Sequence, residues 1–277
     1  MLTKNYTAEN TAKSVTVKGL KINYHEAGDG MPLVLLHGGG PGASAWGNFG
    51  GNVGVMAEQF RVLAIDMPHF GKSDKPADHF IDCAFYADIL AAALDEIGIP
   101  KAHFIGNSMG GIVTMELAIA RPELVDRIVL MGTPGAPPVI SVSPTEGEKH
   151  IIGYYTGEGP TRAKQEAWVR GMVYDQSLVT PEMLESRYQA SIAPELMVKR
   201  KIDGSSLLNM WRRADQIPHE TLLIACRDDR VVPWDSAMLL LRLMPNADMH
   251  VFGRCGHWAQ WERSEAFNSL TMNFFKG

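Results

Sequence analysis

The stretch Gly106-Asn107-Ser108-Met109-Gly110 is a Gly-x-Ser-x-Gly motif. An apolar run at residues 102–105 precedes it and predicts a short buried strand, and the pattern of residues 111–118 predicts a helix. A serine between a strand and a helix can occupy a tight, strained turn that presents its hydroxyl above a sheet. The alternative is a glycine-rich turn whose serine only caps the helix, because short motifs also arise by chance. The rest of the chain has to separate these two interpretations.

Strand and helix patterns alternate along the chain. Residues 14–25 alternate in polarity around a glycine, which predicts a hairpin. A helix with one buried face is predicted through Tyr86, Leu90, Leu94 and Ile97. Apolar runs typical of buried strands occupy residues 33–36, 61–66, 127–131, 221–226 and 248–252. This alternation predicts an α/β fold with a mostly parallel central sheet and helices on both faces.

One long interval interrupts the alternation. Residues 135–206 contain no convincing core strand, but they carry helical segments rich in large side chains such as Trp168 and Met172. We interpret the interval as a helical cap inserted between two sheet strands, with a further helical layer as the alternative. The predicted organisation is therefore a core at residues 1–134, a cap at 135–206 and the second part of the core at 207–277.

Composition excludes several classes of function. The net charge of the 277 residues is −5, which gives no support for nucleic acid or an anionic membrane as a partner. No apolar run is long enough to span a bilayer, and residues 1–14 lack the apolar centre of a signal peptide. The three cysteines, Cys83, Cys226 and Cys255, form neither a disulfide framework nor a metal motif. We therefore expect a reduced, cytoplasmic protein without a metal ion.

A serine nucleophile needs a base and an acid, which in this type of fold follow it in the order serine, acid, histidine. Asp228 and Asp229 both follow the strand predicted at 221–226. The acid of such a triad typically lies in the pattern Gly-x-x-Asp-x-x-Val-Pro, which favours Asp229. Cys226 then occupies the position where glycine is usual, and Asp228 is interpreted as a turn residue. His257 follows the last strand in a glycine-containing loop, where the alternative is an ordinary surface histidine.

Negative charge on a reacting carbonyl oxygen requires preorganised backbone N–H donors. One donor is expected from Met109, the residue after the serine. The other is expected from the glycine loop at residues 37–42, where we favour Gly39 and keep Gly38 or Gly40 as alternatives. His37 is interpreted as part of this loop rather than as the base. The role of His69 stays open between a place near the site and a structural one.

With these residues in place, the chain resembles the meta-cleavage product hydrolases of bacterial aromatic degradation, which are carbon–carbon bond hydrolases of the α/β-hydrolase fold. The resemblance extends over nearly the whole chain, and a serine, aspartate and histidine alone would fit any esterase. The more specific matches are His37-Gly38-Gly39-Gly40-Pro41-Gly42-Ala43, Trp46 and Asn48, Gly106-Asn107-Ser108-Met109-Gly110-Gly111, Tyr174-Asp175-Gln176-Ser177, Arg187 and Arg254-Cys255-Gly256-His257-Trp258-Ala259-Gln260-Trp261-Glu262.

The resemblance implies a small-molecule substrate of the 2-hydroxy-6-oxohexa-2,4-dienoate type and no cofactor. Arg187 would bind the substrate carboxylate, Asn107 and Trp258 would flank the dienoate end, and Asn48 would order the polar pocket. Met172 lies where the family varies in the distal pocket. Large apolar residues there, with Trp211 nearby, favour an aryl end such as 6-phenyl.

The implied reaction begins with ketonisation of the dienol, after which Ser108 attacks the distal ketone and the carbon–carbon bond breaks. The products are 2-hydroxypenta-2,4-dienoate and, after hydrolysis of an acyl-enzyme, a carboxylic acid. A carboxylesterase or thioesterase with the same triad is the main alternative, and a binding protein of this fold with little turnover is the other. The resemblance also suggests a homo-oligomer, a dimer or higher.

Overall fold

The computed structural model describes residues 5–76, 82–196, 207 and 209–277. The strands are β1 (Ala12–Val17), β2 (Leu20–Ala27), β3 (Met31–Leu36), β4 (Phe60–Ile65), β5 (Ala102–Asn107), β6 (Val125–Met131), β7 (Thr221–Cys226) and β8 (Ala247–Phe252). The helices are α1 (Ala8–Thr11), α2 (Ala45–Met56), α3 (Cys83–Ile97), α4 (Met109–Ala120), α5 (Glu146–Tyr154), α6 (Arg162–Met172), α7 (Pro181–Ser191), α8 (Ser236–Leu243), α9 (Ala259–Glu262) and α10 (Ser264–Lys276). Short 3₁₀ segments occupy Pro122–Leu124, Gln176–Leu178, Pro194–Leu196 and Met210–Gln216.

All eight strands form one sheet in the order β1-β2-β4-β3-β5-β6-β7-β8. β1, β2 and β4 pair antiparallel, and every pair from β4 to β8 is parallel. The predicted hairpin is β1–β2, whose turn residues Lys18 and Gly19 both have positive φ, at 49° and 79°. Two left-handed residues in a row match the right-handed twist of a hairpin. The predicted mostly parallel α/β sheet is confirmed.

The central parallel strands carry continuous apolar runs because both faces of the sheet are covered there. In β3, Val34 and Leu36 belong to one core cluster, with α3 and α4, while Leu33 and Leu35 belong to a second cluster with α2 and α10. All four side chains are fully buried. Burial on both faces explains why the sequence shows continuous apolar runs rather than alternation. The parallel pairing also brings the carboxyl ends of β3, β5, β6 and β7 to one edge.

Helices α5, α6 and α7 lie between β6 and β7 in the chain, and α6 contacts both of the others. No strand occurs in the described part of this interval, residues 132–196. Trp168, Met172 and Trp258 join a third apolar cluster, separate from the two sheet clusters. We propose that these helices form the predicted cap over the sheet edge. Its predicted end, residues 197–206, lies outside the described residues.

Within the described segments, no helix combines the length and the apolar character that a bilayer span requires. The same segments hold no group of three or more histidine, cysteine or carboxylate side chains that could bind a metal ion.

Candidate active site

Ser108 lies between β5 and α4 in a strained backbone conformation. Its φ is 53° and its ψ is −120°, values that are uncommon for any residue other than glycine. Its N–H donates to the Met131 carbonyl at 2.9 Å, which ties the turn to the end of β6. The Ser108 side chain forms no capping hydrogen bond to the helix. The hydroxyl is therefore available for other chemistry, as the first interpretation of the motif requires.

The glycines of the motif allow the strand and the helix to touch. A Cβ atom on Gly106 would lie 2.5 Å from the Gly111 Cα, and one on Gly110 would lie 2.4 Å from the Leu36 carbonyl oxygen. Both obstacles are backbone atoms, which cannot rotate away. The turn therefore requires these two positions to lack a side chain.

Replacing Gly110 with alanine should lower the free energy of unfolding by about 1–3 kcal/mol, because the new methyl group must displace β3. Gly51→Ala is the matched control, since Gly51 lies in α2 and a Cβ atom added there would meet nothing within 4 Å. That control should stabilise the protein by about 0.5–1 kcal/mol through a better helix propensity. Chemical denaturation of both variants measures the difference. Equal stabilities would contradict the close approach at Gly110.

His257 and Asp229 form a buried hydrogen-bonded pair. His257 Nδ1 donates to Asp229 Oδ2 at 2.7 Å. The other carboxylate oxygen, Oδ1, accepts from the N–H groups of Val231 and Val232 at 2.7 and 3.0 Å. The carboxylate is thus held from both sides, and it fixes the histidine tautomer so that Nε2 can accept a proton.

Asp228 has a different role from Asp229. Its carboxylate accepts from the Arg254 N–H at 2.8 Å and from Arg227 at 3.2 Å. It therefore stabilises the loop that carries His257 and does not contact the histidine. Cys226, where glycine is usual, is buried beside Cys255 and leaves the Asp229 turn intact.

Ser108 and His257 both approach the end of β6, at the consecutive residues Met131 and Gly132. Gly132 follows Met131, the residue that binds the Ser108 N–H, and a Cβ on Gly132 would lie 2.9 Å from His257 Nδ1. His257 also donates its own backbone N–H to the Met172 carbonyl at 2.6 Å. No hydrogen bond between the described side chains joins Ser108 to His257. Such bonds are often long in ligand-free sites and shorten when substrate binds.

The glycine loop after β3 lies against the serine turn. A Cβ on Gly38 would be 3.2 Å from the Ser108 Cβ, and one on Gly39 would be 2.7 Å from the Met109 sulfur. The loop is held by His37, whose Nδ1 donates to the Gly38 carbonyl at 2.8 Å while Nε2 accepts from the Met67 N–H at 3.1 Å. Burial lowers the pKa of His37. Both ring nitrogens are engaged, so His37 supports the loop.

His69 is also engaged on both sides. Its Nε2 lies 2.9 Å from the Pro76 carbonyl and its Nδ1 lies 2.9 Å from the Tyr86 hydroxyl. The residue is buried and has a φ of 75°. The sequence left open whether His69 serves the site or the structure, and these contacts favour the structural role.

Asn48 and Asn107 meet beside the glycine loop. The Asn48 amide donates to Asn107 Oδ1 at 3.2 Å, and the Asn107 amide donates to the Met131 carbonyl at 3.2 Å. Asn48 Oδ1 is buried and has no partner among the described residues. A bound hydroxyl group could donate to it.

Arg187 is a buried cation without a carboxylate partner in the described part of the chain. It is 7% exposed, and burial lowers its pKa to about 10, so it still carries its charge at neutral pH. One nitrogen, Nη2, donates to the Pro41 carbonyl at 3.1 Å, while Nε has no partner there. The guanidinium carbon lies 5.1 Å from the centre of the Trp258 ring, a favourable cation–π distance. An uncompensated buried charge of this kind is costly unless an anion binds beside it.

Met172 and Glu262 join the cap helices to the His257 loop. Met172 is buried in the third cluster, and its carbonyl holds His257. Glu262 accepts from the N–H groups of Tyr174 and Asp175 through one oxygen and from Gly256 through the other, at 2.6–2.8 Å. Burial raises the pKa of Glu262. Sequence reasoning assigned this glutamate no role, because its partners are backbone groups that no motif reveals.

The comparison with known proteins agrees with this geometry. The model of the alpha/beta hydrolase family matches residues 33–270. A 2-hydroxy-6-oxononadienedioate/2-hydroxy-6-oxononatrienedioate hydrolase from Burkholderia vietnamiensis is 39% identical, over 98% of both chains. A 2-hydroxy-6-oxo-6-phenylhexa-2,4-dienoate hydrolase from Burkholderia cepacia is also 39% identical, over 95% of this chain and 96% of that protein.

A solved structure gives the same result. The meta-cleavage product hydrolase CumD from Pseudomonas fluorescens IP01 superposes with a TM-score of 0.86 and 36% identity, covering 95% of this chain and 97% of that chain. The expected α/β-hydrolase fold is confirmed by the family match and by this superposition. The chain therefore belongs to the alpha/beta hydrolase family and, within it, to the meta-cleavage product hydrolases.

Proposed function

We propose that this protein hydrolyses the carbon–carbon bond of 2-hydroxy-6-oxohexa-2,4-dienoates, releasing 2-hydroxypenta-2,4-dienoate and a carboxylic acid. The names of its relatives support this class of substrate. The observation that carries the proposal is Arg187, a buried guanidinium whose Nε has no partner among the described residues, next to the serine site. A planar guanidinium binds a carboxylate through two parallel hydrogen bonds. An esterase for neutral substrates would gain nothing from this buried charge.

The first half of the proposed reaction is acylation. After the dienol becomes a ketone, the new carbonyl can accept the electrons of the breaking bond. His257 takes the proton of Ser108, and the serine oxygen attacks the C6 carbonyl. The N–H groups of Met109 and Gly39 are proposed to stabilise the oxyanion. Its collapse breaks the C5–C6 bond, and the electron pair passes into the dienoate half, which leaves after protonation.

The second half is deacylation. Water gives a proton to His257 and attacks the acyl-enzyme carbonyl, and the same oxyanion donors stabilise the second tetrahedral intermediate. Ser108 leaves with the proton returned by His257, and a carboxylic acid is released. In both halves Asp229 accepts the hydrogen bond from His257 Nδ1 and so stabilises the imidazolium. No step in this sequence uses a cofactor.

We propose that the group on C6 is apolar and that an aryl ketone is preferred. Val231 and Val232, two and three residues after Asp229, pack with Met172 in the third cluster, together with Ile151. A second carboxylate at this end, as in the dienedioates, would need cationic or N–H partners that these side chains do not supply. Trp211 was predicted near the C6 end of the substrate. Its backbone N–H donates to the Gly135 carbonyl at 2.7 Å, and its side chain packs against the first sheet cluster, not the third cluster.

The test is to mix the purified protein with 2-hydroxy-6-oxo-6-phenylhexa-2,4-dienoate, which is yellow, and follow its visible absorbance. We expect rapid bleaching, with benzoate and 2-hydroxypenta-2,4-dienoate as products. The dienedioate analogue serves as the comparison and should react with a lower kcat/KM. No bleaching with either compound, together with fast cleavage of simple esters, would favour the esterase alternative.

We further propose that the protein functions in the cytoplasm as a homo-oligomer. All three cysteines are buried thiols outside any disulfide, which suits a reducing compartment. The oligomer rests on the family resemblance alone. Light scattering coupled to gel filtration tests it, and a mass of one chain at micromolar concentration would contradict it.

A further inference from the structure

A second unpartnered donor lies in the same part of the molecule as Arg187. Trp168 is 2% exposed, yet its indole Nε1 has no hydrogen-bond partner among the described residues. Leaving a buried N–H without an acceptor costs about 1–3 kcal/mol, and a buried indole N–H is usually paired. Phenylalanine or leucine would fill an apolar site without this cost. The N–H therefore needs an explanation beyond packing.

The indole lies against the glycine loop that serves Ser108 and Arg187. A Cβ on Gly40 would lie 2.9 Å from Trp168 Nε1, so the N–H edge of the ring contacts the loop at this position. The next residue, Pro41, accepts the Arg187 hydrogen bond, and a Cβ on Gly42 would touch the Arg187 backbone at 2.2 Å. Three consecutive loop residues thus run from the indole of α6 to the guanidinium of α7.

Trp258 lies close to Arg187 and shares an apolar cluster with Trp168. Its ring lies under the Arg187 guanidinium. Gln165 Nε2 and Asn48 Oδ1 are also buried without a partner in the described chain, but Arg187 Nε and Trp168 Nε1 are the two unpartnered donors whose side chains contact residues 40 and 41 of the glycine loop. A neutral apolar ligand would leave both unsatisfied, whereas a carboxylate offers two oxygens and four lone pairs to them.

We propose that Trp168 is a substrate-binding residue whose indole N–H donates to the carboxylate of the dienoate, alongside Arg187. This inference rests on the proposed function, because it assigns a further contact to the same carboxylate. A hydrogen bond to a charged oxygen is stronger than one to a neutral oxygen, so the indole contributes to the choice of anionic over neutral substrates.

The test compares Trp168→Phe, which keeps an aromatic ring and removes the N–H, with Trp46→Phe. Trp46 packs on His25, outside the third cluster, and is the matched control. Both changes are made in a Ser108→Ala background, and the Kd of 2-hydroxy-6-oxo-6-phenylhexa-2,4-dienoate is measured from its absorbance spectrum. We expect Trp168→Phe to raise this Kd about tenfold or more, in line with the loss of a hydrogen bond to a charged group. Trp46→Phe should leave it unchanged.

A second measurement separates binding from packing. With Ser108 present, Trp168→Phe should lower kcat/KM for the dienoate by a larger factor than it lowers kcat/KM for p-nitrophenyl acetate, which has no carboxylate. An unchanged Kd, or a parallel loss of dienoate binding and ester hydrolysis, would overturn the role of the indole. If the Ser108→Ala protein without a tryptophan change fails to bind the dienoate, and the wild type fails to cleave it, the proposed function itself is wrong.

Discussion

Ser108→Ala should reduce kcat/KM for the phenyl dienoate by about 10⁴-fold or more, while the substrate still binds. The hydroxyl is the only group of the proposed triad that can bond to the acyl carbon, and the histidine and aspartate cannot replace it. The alanine fits the turn no worse than serine, because both side chains begin with the same Cβ and Ser108 makes no capping hydrogen bond. Binding should persist, since Arg187 and the asparagines are untouched.

Bleaching of the visible absorbance measures the turnover, and isothermal titration calorimetry measures the binding. Ser177→Ala is the control, since Ser177 is an exposed serine whose hydroxyl binds Asp175 at 2.6 Å. It should react at the wild-type rate. Near-normal turnover by Ser108→Ala would show that another group, or water activated by His257, attacks the ketone.

Arg187→Met should lower kcat/KM for the dienoate by about 30- to 4,000-fold, corresponding to the about 2–5 kcal/mol expected for truncating a buried charge pair. Methionine has a similar length and no charge. Because Arg187 is buried without a carboxylate partner in the described chain, its removal should also raise Tm, by about 2 °C for each kcal/mol of desolvation relieved. A variant that is more stable and less active cannot be explained by misfolding.

The matched control is Arg162→Met, on the neighbouring helix α6. Arg162 is exposed and pairs with Glu185 at 2.8 Å, and such surface pairs contribute little to stability. Its kcat/KM and Tm should stay close to the wild-type values. Hydrolysis of p-nitrophenyl acetate should be unaffected by either change. If Arg187→Met cleaves the dienoate normally, the carboxylate is bound elsewhere.

The sequence predicted the sheet well because its signals are local. The run at 221–226 coincides with β7, and the hairpin turn at Lys18-Gly19 follows from residues adjacent in the chain. The choice of Asp229 over Asp228 depended on the sequence pattern around them. In the structure, His257 donates its hydrogen bond to Asp229, the residue that the pattern favours. The roles of the site residues stay predictions that the experiments above test.

Other features could not be predicted, because they depend on partners distant in the chain. Nothing around residue 187 indicates that the arginine is buried, since its helix α7 is mostly polar and its contacts come from Pro41 and Trp258. The same applies to Glu262, which binds backbone groups at 174, 175 and 256. Trp168 was recognised as a large residue of the cap, but its lone N–H is visible only in three dimensions.

The position of β8 at the margin of the sheet has a consequence for biosynthesis. The serine turn, the glycine loop and the first six strands are complete within the first half of the chain, whereas His257 follows β8, which pairs with β7 at one margin of the described sheet. A ribosome-bound chain that lacks this strand also lacks His257, the residue that we propose as the base for Ser108. We expect such a nascent protein to be inactive. Hydrolysis begins only after the final strand has docked and His257 is in place.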